Sequence, residues 1–400
     1  MVPLPLANLW HHKLRSSLTA LGVAIGICML VTLSGLSRGS VDEIADRWEA
    51  VDADLLVFPA NASDNIAALS GGGLGEKDAQ LVRQLAVAGH PAVEYVAPVY
   101  IHRGKIGSGA NNIFGCAPQD LPRLTGGRRF LEGRVFDPDN NCECYLQHRI
   151  GQAGQGVLEI SDEELAGNGG LEMVIDRRLA RDARLKTGDK VHVLGRDFTV
   201  VGVMQEGGLA RAFIPRATAQ WLGELDRYTM FFVKLKDGVA SQAALEALRP
   251  RRNLTGITID QYRGMLMDML GVMYIYTDTA NAITLAVACL FILVSLYTMV
   301  IQRQREIAIL KSMGARRRFI LGGVLSESLI IAALGAAAGI GLSFPAAMGI
   351  EAFRPVLTVR ITWGWIGVAA VSALAVGGLA AIYPAWKAMK IDVVEALTLE

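Results

Sequence analysis

Four long runs of apolar residues, separated by polar segments, dominate the hydropathy pattern of this 400-residue chain. Each run is as long as the roughly 20 residues with which an α-helix crosses a bilayer. They occupy positions 16–37, 279–302, 319–350 and 361–386, and Glu327 in the third run is the single charge within them. The pattern predicts four transmembrane helices.

The first run could also be a cleaved signal peptide, because it lies near the N-terminus and follows basic residues. Its uncharged stretch of 22 residues exceeds the usual signal core of about 7–15 residues, and no A-x-A cleavage site closes it. We therefore expect it to be a retained membrane anchor.

Helical spacing of apolar residues continues beyond the first run and begins ahead of the second. Val41, Ile44 and Trp48 recur at helical intervals after the first run, as do Met269 and Met273 before the second. We expect the first two transmembrane helices to extend outward as stalk helices that can pack together.

The large segment between these stalks has a mixed pattern. Alternating or continuous apolar stretches predict strands at 54–59, 93–99, 172–176, 190–194, 198–204 and 228–235, and helical spacing predicts helices at 76–88, 177–185 and 241–248. Residues 195–197 are expected to form a short hairpin loop, and the Gly-rich stretch 61–75 a mobile loop. The fold class is therefore a membrane α-helical protein of four transmembrane helices, with a large α+β domain inserted between helices 1 and 2.

Composition and charge sharpen this picture. Hydrophobic residues make up 52% and charged residues 19% of the chain, a more apolar balance than soluble domains show. The 39 basic and 38 acidic residues nearly cancel, which excludes the basic footprint of a nucleic-acid binder. Most of them, 27 basic and 32 acidic, lie at positions 38–278, so that segment is the water-exposed one.

The short loop at 303–318 holds six basic residues against one acidic residue, Glu306. Because basic residues resist translocation, this loop is expected in the cytoplasm. The chain is also basic before the first run, with Lys13 and Arg15, and after the fourth run, with Lys387 and Lys390. Both termini are then cytoplasmic, and residues 38–278 are periplasmic or extracellular.

Several segments resemble the FtsX-like, MacB-type permeases of ABC transporters. REIAILKSMGARRRFI at 305–320 is similar to the family's loop after the second span, and LSESLIIAALGAAAGIGLS at 325–343 to the opening of its third span. YPAWKAMKIDVVEAL at 383–397 resembles its C-terminal motif, with Val394 where proline is usual. FLEGRVFDPDN at 130–140 and TGDKVHVLGRDFTVVGVM at 187–204 resemble the MacB-like periplasmic core domain.

The resemblance implies a domain order. An N-terminal interfacial segment with the first transmembrane helix (1–37) precedes the extracytoplasmic MacB-like core domain with its stalks (38–278). The second helix (279–302), a cytoplasmic coupling loop (303–318), the third helix (319–350), the fourth helix (361–386) and a cytoplasmic tail (387–400) follow.

The resemblance also implies an export or extraction permease of a bacterial inner membrane. It would pair with a second permease copy or paralogue, with an ABC ATP-binding subunit and with a periplasmic adaptor. It would carry a lipid, lipoprotein, peptide or drug-like substrate by mechanotransmission. The chain has no P-loop spacing, so ATP and magnesium are expected on the partner ATPase, and this chain is expected to hold no cofactor and to be no enzyme. The alternative is a non-transport module that regulates an extracytoplasmic partner such as a cell-wall hydrolase. The size of the outer segment favours transport.

The resemblance points to the loop 303–318 as the ATPase-coupling site, with Arg303, Glu306, Lys311, Gly314 and Ala315 as its candidate residues. A basic loop could instead merely obey the orientation rule. Four apolar residues on a segment outside the bilayer favour contact with a partner: Ile307, Ile309, Leu310 and Met313.

Glu327 is the candidate intramembrane ionisable residue. At its depth a carboxyl group must face protein, water or a partner, which would make it functional. Alternatively, the long third helix begins along the interface and Glu327 lies near the headgroups. The glycines and alanines of spans three and four are expected to serve helix packing.

Three cysteines in the outer segment, Cys116, Cys142 and Cys144, suggest a disulfide from Cys116 to one of the other two in an oxidising compartment. Cys142, Cys144 and His148 also form a C-x-C-x₃-H cluster, but the spacing departs from that of structural zinc sites. No arrangement of catalytic residues stands out.

Overall fold

The computed structural model describes residues 13–60, 73–137, 141–153, 160–223, 227–249, 251 and 253–390. Within them the chain forms two compact units. The membrane unit comprises 13–41, 270–353 and 357–390, and the outer unit comprises 42–269 and 354–356.

Helices in the described residues are numbered in chain order. They are α1 Lys13–Glu49, α2 Glu76–Arg83, α3 Leu121–Leu124, α4 Asn141–Ala153, α5 Asp162–Gly167, α6 Arg177–Ala183, α7 Arg216–Leu222, α8 Ser241–Leu248, α9 Ile259–Gln302, α10 Gln304–Ser312, α11 Arg317–Phe353 and α12 Trp363–Met389.

Strands are numbered in the same way. They are β1 Leu55–Pro59, β2 Ala86–Val87, β3 His90–Pro91, β4 Val93–Ile106, β5 Gly109–Cys116, β6 Phe130–Gly133, β7 Leu171–Asp176, β8 Lys190–Val193, β9 Arg196–Met204, β10 Ala212–Pro215, β11 Met230–Leu235 and β12 Leu254–Thr258.

Four helices, α1, α9, α11 and α12, are long and apolar enough to cross a membrane. They contain the predicted runs, except that α12 begins at Trp363, two residues after the start of the fourth run. α1 continues without a break past residue 37 to Glu49, and α9 begins at Ile259, well ahead of residue 279. The predicted stalk helices are thus confirmed as extensions of the first two spans.

Ten strands of the described residues form one mixed sheet in the order β12-β1-β11-β4-β5-β10-β7-β9-β6, with β8 paired to β9. The long strand β4 pairs with β11 through its first half and with β5 through its second. Side chains alternate across the sheet: in β1, Leu55 and Val57 pack in the core cluster on one face, and Leu56 and Phe58 pack in the cluster on the other. Both faces are therefore buried.

The ends of the two stalks farthest from the transmembrane runs pack against one face of this sheet. The ring centroids of Trp48 in α1 and Tyr262 in α9 are 4.4 Å apart, and Trp48 also stacks on Phe232 at 6.2 Å. Trp48 and Tyr262 are both buried, which confirms that the stalks pack together. Truncating such a buried aromatic residue costs roughly 3–5 kcal/mol.

Two local predictions in the outer unit were wrong. The helix predicted at 76–88 ends at Arg83, because Ala88 and Gly89 take positive φ angles and join β2 to β3 as a tight hairpin. The hairpin predicted at 195–197 turns at Leu194 and Gly195, where both φ angles are positive and Val193 pairs with Arg196. Most of the loop predicted at 61–75 lies outside the described residues.

Candidate functional site

The predicted coupling loop contains a short helix, α10, that has an ion pair within its first turn and a hydrogen bond to α12 near its end. At its start the Arg303 Nε donates to Glu306 Oε2 at 2.7 Å. Near its end the Lys311 Nζ donates to the carbonyl of Met389 in α12 at 2.8 Å. Of the predicted residues, Lys311 therefore connects α10 to α12, whereas Arg303 and Glu306 pair within the start of α10.

Gly314 ends this helix by its backbone conformation. Its φ angle is +87°, and its amide donates to the carbonyl of Lys311 while that of Ala315 donates to Leu310. A Cβ atom at Gly314 would meet nothing within 4 Å, so the constraint is the left-handed φ and not space. Another residue type in that conformation costs roughly 1–2 kcal/mol. Gly314 is therefore the stop of α10.

The apolar residues of α10 and the turn after it divide into two sets. Ile307 and Leu310 face a cavity of about 480 Å³ within the membrane unit. Ile309 and Met313 are exposed, Met313 by 71%. The exposed pair forms an apolar patch on a short helix flanked by basic residues.

Glu327 lines the same cavity, together with Arg303 and Arg318. The residue is only 4% exposed. Glu327 is thus buried against protein, and its depth in the bilayer stays a prediction. Arg303 brings the coupling loop and Glu327 to one place, which sequence separation alone does not reveal.

Small residues of the third and fourth spans serve close helix packing inside this subunit. A Cβ atom added at Gly339 in α11 would lie 2.5 Å from the carbonyl oxygen of Ala24 in α1. One added at Gly377 in α12 would lie 2.6 Å from Ala332 in α11. Ser328 Oγ also donates to the carbonyl of Gly377 at 2.6 Å. These contacts require glycine, as the packing prediction expected.

The predicted disulfide is not formed. All five cysteines lie in the described residues and are thiols in this structure. Cys116 packs in the core cluster on one face of the sheet and Cys142 in the cluster on the other, while Cys144 is exposed. Burial raises the pKa of the Cys142 thiol to about 11, which disfavours the reactive thiolate. Among the described residues, no group of three metal-binding side chains comes together.

Sequence reasoning missed a buried cluster of charges in the outer unit. Arg47 of α1 donates to Glu43 Oε1 from Nη2 at 2.6 Å and from Nε at 3.1 Å. The other Glu43 oxygen, Oε2, accepts from Arg178 of α6. Asp176 and Arg211 complete the cluster, with Arg47 3.5 Å from Asp176 and Arg211 3.9 Å from Glu43. Removing one partner from a buried pair of this kind costs roughly 3–5 kcal/mol.

A partial signal for this cluster exists in the sequence. Glu43 and Arg47 are four residues apart in α1, so they share one face of the helix. Arg178 and Arg211 lie far away in sequence, and only the fold brings them to that face.

Comparison with known proteins agrees with this architecture. The family model for the MacB-like periplasmic core domain matches residues 16–251, and the model for the FtsX-like permease C-terminal region matches residues 279–393. Together the two matches cover all four predicted transmembrane runs and most of the outer unit.

Similar proteins are ATP-binding/permease proteins of bacteria. The macrolide export ATP-binding/permease protein MacB 2 of Aeromonas hydrophila is 26% identical over 97% of this chain and 59% of its own length. The pyoverdine export ATP-binding/permease protein PvdT of Pseudomonas syringae is 24% identical over 98% of this chain and 58% of its own. The chain thus spans about three-fifths of the length of these relatives.

Among solved structures, the periplasmic region of MacB from Actinobacillus actinomycetemcomitans aligns with 55% of this chain and 94% of its own, at 16% identity and a TM-score of 0.35. The extracellular domain of the noncanonic ABC-type transporter YknZ aligns with 51% of this chain at 13% identity and a TM-score of 0.33. The family model for the core domain matches more than half of the chain, and the model for the permease region matches the part that follows it. The chain belongs to the MacB-type, FtsX-like permeases of ABC transporters.

Proposed function

We propose that this chain couples ATP hydrolysis on a separate ATP-binding subunit to motion of the outer unit, which exports or extracts a hydrophobic or amphipathic substrate. The observation that carries the proposal is α10, a short anchored helix with an exposed apolar patch of Ile309 and Met313. Apolar residues on a basic loop outside the bilayer have few uses besides contact with a partner protein.

The orientation of the proposal follows from charge. With α10 in the cytoplasm, the six basic residues of the loop 303–318 obey the positive-inside rule, and the apolar patch of α10 faces the compartment that holds ATP. Both termini then lie in the cytoplasm and the outer unit in the periplasm.

These 400 residues contain no P-loop spacing, so ATP binding is proposed to lie outside them. ATP and magnesium would be bound by the proposed ATP-binding subunit. The similar proteins named above combine ATP-binding and permease functions in their names, which supports the pairing of the two activities.

We propose that a second permease copy pairs along the stalk of α9. Met265, Met269, Val272 and Tyr276 are all exposed, by 51–73%. Their spacing of four, three and four residues is that of a coiled-coil seam. Lipid cannot cover the part of this seam that lies outside the bilayer, so a protein partner fits it better.

The substrate class rests on the outer unit. Its large mixed sheet offers more than a regulatory module needs, which favours transport over control of a cell-wall hydrolase. Macrolide and pyoverdine export, in the names of similar proteins, supports an amphipathic substrate. A periplasmic adaptor remains part of the proposal on family grounds.

The proposal is tested by purifying the tagged protein in mild detergent, identifying the proteins that stay bound and measuring the ATPase activity of the eluate. We expect a separate ATP-binding subunit and ATPase activity. Met313→Ser should remove much of both, because it breaks the exposed patch. Glu306→Gln and Gly314→Ala should weaken both by loosening α10.

Matched controls separate coupling from general damage. Gly322→Ala changes a glycine of α11 that has open space and an ordinary helical backbone. Leu81→Ser changes an exposed apolar residue of the outer unit. Both should leave the complex intact. Recovery of an active ATPase with Met313→Ser at the unsubstituted level would contradict α10 as the contact.

A further inference from the structure

The buried charge cluster of Glu43, Arg47, Asp176, Arg178 and Arg211, here named the stalk joint, connects separate parts of the outer unit. Glu43 and Arg47 belong to the outward extension of α1. Asp176 ends β7 and Arg178 lies in α6, so these two fix the joint to the sheet. Arg211 precedes β10, the strand next to β7.

Each member of the joint is held by more than one contact. Asp176 is fully buried, and its Oδ1 accepts the Leu179 amide at 2.7 Å as the cap of α6. Arg47 Nη1 donates to the carbonyl of Gly208 at 3.2 Å in addition to its bonds with Glu43. The Arg47 side chain therefore contacts Gly208 and Asp176 of the outer unit as well as Glu43 of its own helix.

Arg211 brings a third segment into the joint. Its Nη2 donates to the carbonyl of Val356 at 2.9 Å. Val356 lies in the short connection 354–356 between α11 and α12, and that connection is part of the outer unit. The joint thus gathers the extension of the first span, the connection of the third and fourth spans, and the two central strands β7 and β10.

The charged groups of the stalk joint are linked to one another by shared contacts. Three guanidinium groups share two carboxylates, and Glu43 is the acceptor that Arg47 and Arg178 have in common. In a buried setting, moving Glu43 or Asp176 away leaves guanidinium groups without a carboxylate. Moving Arg47 or Arg211 away breaks their bonds to the carbonyls of Gly208 and Val356. Relative sliding of α1, β7 and the 354–356 connection is therefore costly, whereas moving them together is not.

We infer that the stalk joint is the place where displacement of α1 and of the α11–α12 connection is passed to the sheet of the outer unit, with Arg211 as its positioning residue. This inference rests on the proposed coupling function and names the residues that carry it outside the membrane. Apolar stalk contacts such as Trp48 with Tyr262 bury surface, but they do not tie the 354–356 connection to the sheet.

The test measures motion and hydrolysis separately in the full complex. Spin labels are placed at Leu81→Cys, an exposed site of the outer unit, in a Cys144→Ser background. The distance between the two labelled copies is then measured by pulsed electron resonance, without nucleotide and with ATP and vanadate. The ATPase rate and melting temperature are recorded on the same samples.

In the unsubstituted joint we expect an ATP-dependent change in the label distance. Arg211→Gln should keep the ATPase rate but reduce the distance change by at least about twofold, since substitutions in a coupling element alter coupling by such factors or more. Arg211→Lys keeps the positive charge and the fold, but its single ammonium group cannot bridge Glu43 and Val356 together. It should show the same loss of motion with a near-normal melting temperature.

Arg134→Gln is the matched control, because it removes an ion pair of the same unit, with Glu172 at 2.7 Å, that lies outside the joint. It should leave the distance change intact. A full distance change in both Arg211 variants would overturn the inference alone. No ATP-dependent change in the unsubstituted complex would overturn the proposed function and the inference with it.

Discussion

His102, on β4, shows how one buried residue sets a pH dependence. Its Nε2 lies 2.7 Å from the carbonyl oxygen of Ala219 in α7. Burial lowers the pKa of His102 below its usual 6.5, and the bond to Ala219 opposes this shift only in part. The folded outer unit therefore favours the neutral imidazole.

The sign of the resulting pH dependence follows directly. As pH falls through about 6.5, the unfolded chain takes up a proton at His102 before the folded chain does, so stability is lost on acidification. We expect His102→Gln, which can keep the donor to Ala219, to lose less stability between about pH 7.5 and pH 5. Melting temperatures of both proteins across this range provide the measurement.

Buried carboxyl groups change stability with pH in the opposite direction. The effect of His102 must therefore be taken from the difference between the unsubstituted protein and His102→Gln. Burial raises the pKa values of Asp120, Glu143 and Asp176, so their contribution to stability is largest at low pH and is lost as pH rises. Both proteins contain these groups, and their contribution cancels in the difference. Equal acid sensitivity of the two proteins would show that His102 does not titrate as expected.

At the level of elements, the close contact between α11 and α12 requires a glycine at position 377. Gly377 places its backbone against Ala332, where an added Cβ would be 2.6 Å away, while the neighbouring Gly378 has open space. In lipid, helices associate mainly through such close packing, because burial of apolar surface gains little there.

The pair Gly377→Ala and Gly378→Ala tests this contact with one chemical change at adjacent positions. Gly377→Ala should destabilise the membrane unit by roughly 1–3 kcal/mol through overpacking. Gly378→Ala should be neutral or mildly stabilising, since alanine favours helix over glycine. Thermal unfolding in detergent gives the comparison, and equal losses for the two variants would rule out the close contact as the cause.

For the whole molecule, the exposed seam on α9 predicts how two copies meet. Met269 lies on the seam and is 57% exposed, whereas Met267 lies on another face of the same helix. In a Cys144→Ser background, Met269→Cys should form a disulfide-linked dimer on oxidation in membranes, as two seam positions of paired helices come close.

Met267→Cys is the control for this experiment. It introduces the same residue two positions away, about 200° around the helix, and should cross-link weakly. Non-reducing gel electrophoresis reads both outcomes. Cross-linking of Met267→Cys to the same extent would indicate random collision and contradict the proposed seam.

Sequence alone determined the parts of this protein that depend on neighbours along the chain. The four spans follow from uninterrupted apolar runs, and the two stalks from helical spacing that continues those runs. These features need no knowledge of the fold.

Only the tertiary structure decided the features that combine distant residues. The sheet faces that separate Cys116 from Cys142, the cavity shared by Arg303 and Glu327, and the joint from Glu43 to Arg211 all arise from long-range pairing. Short strands such as β10 carry too little pattern to be predicted, yet they fix the register that brings these groups together. Apolar patterning specifies which residues are buried, while the partner of a buried charge depends on strand order and crossing helices.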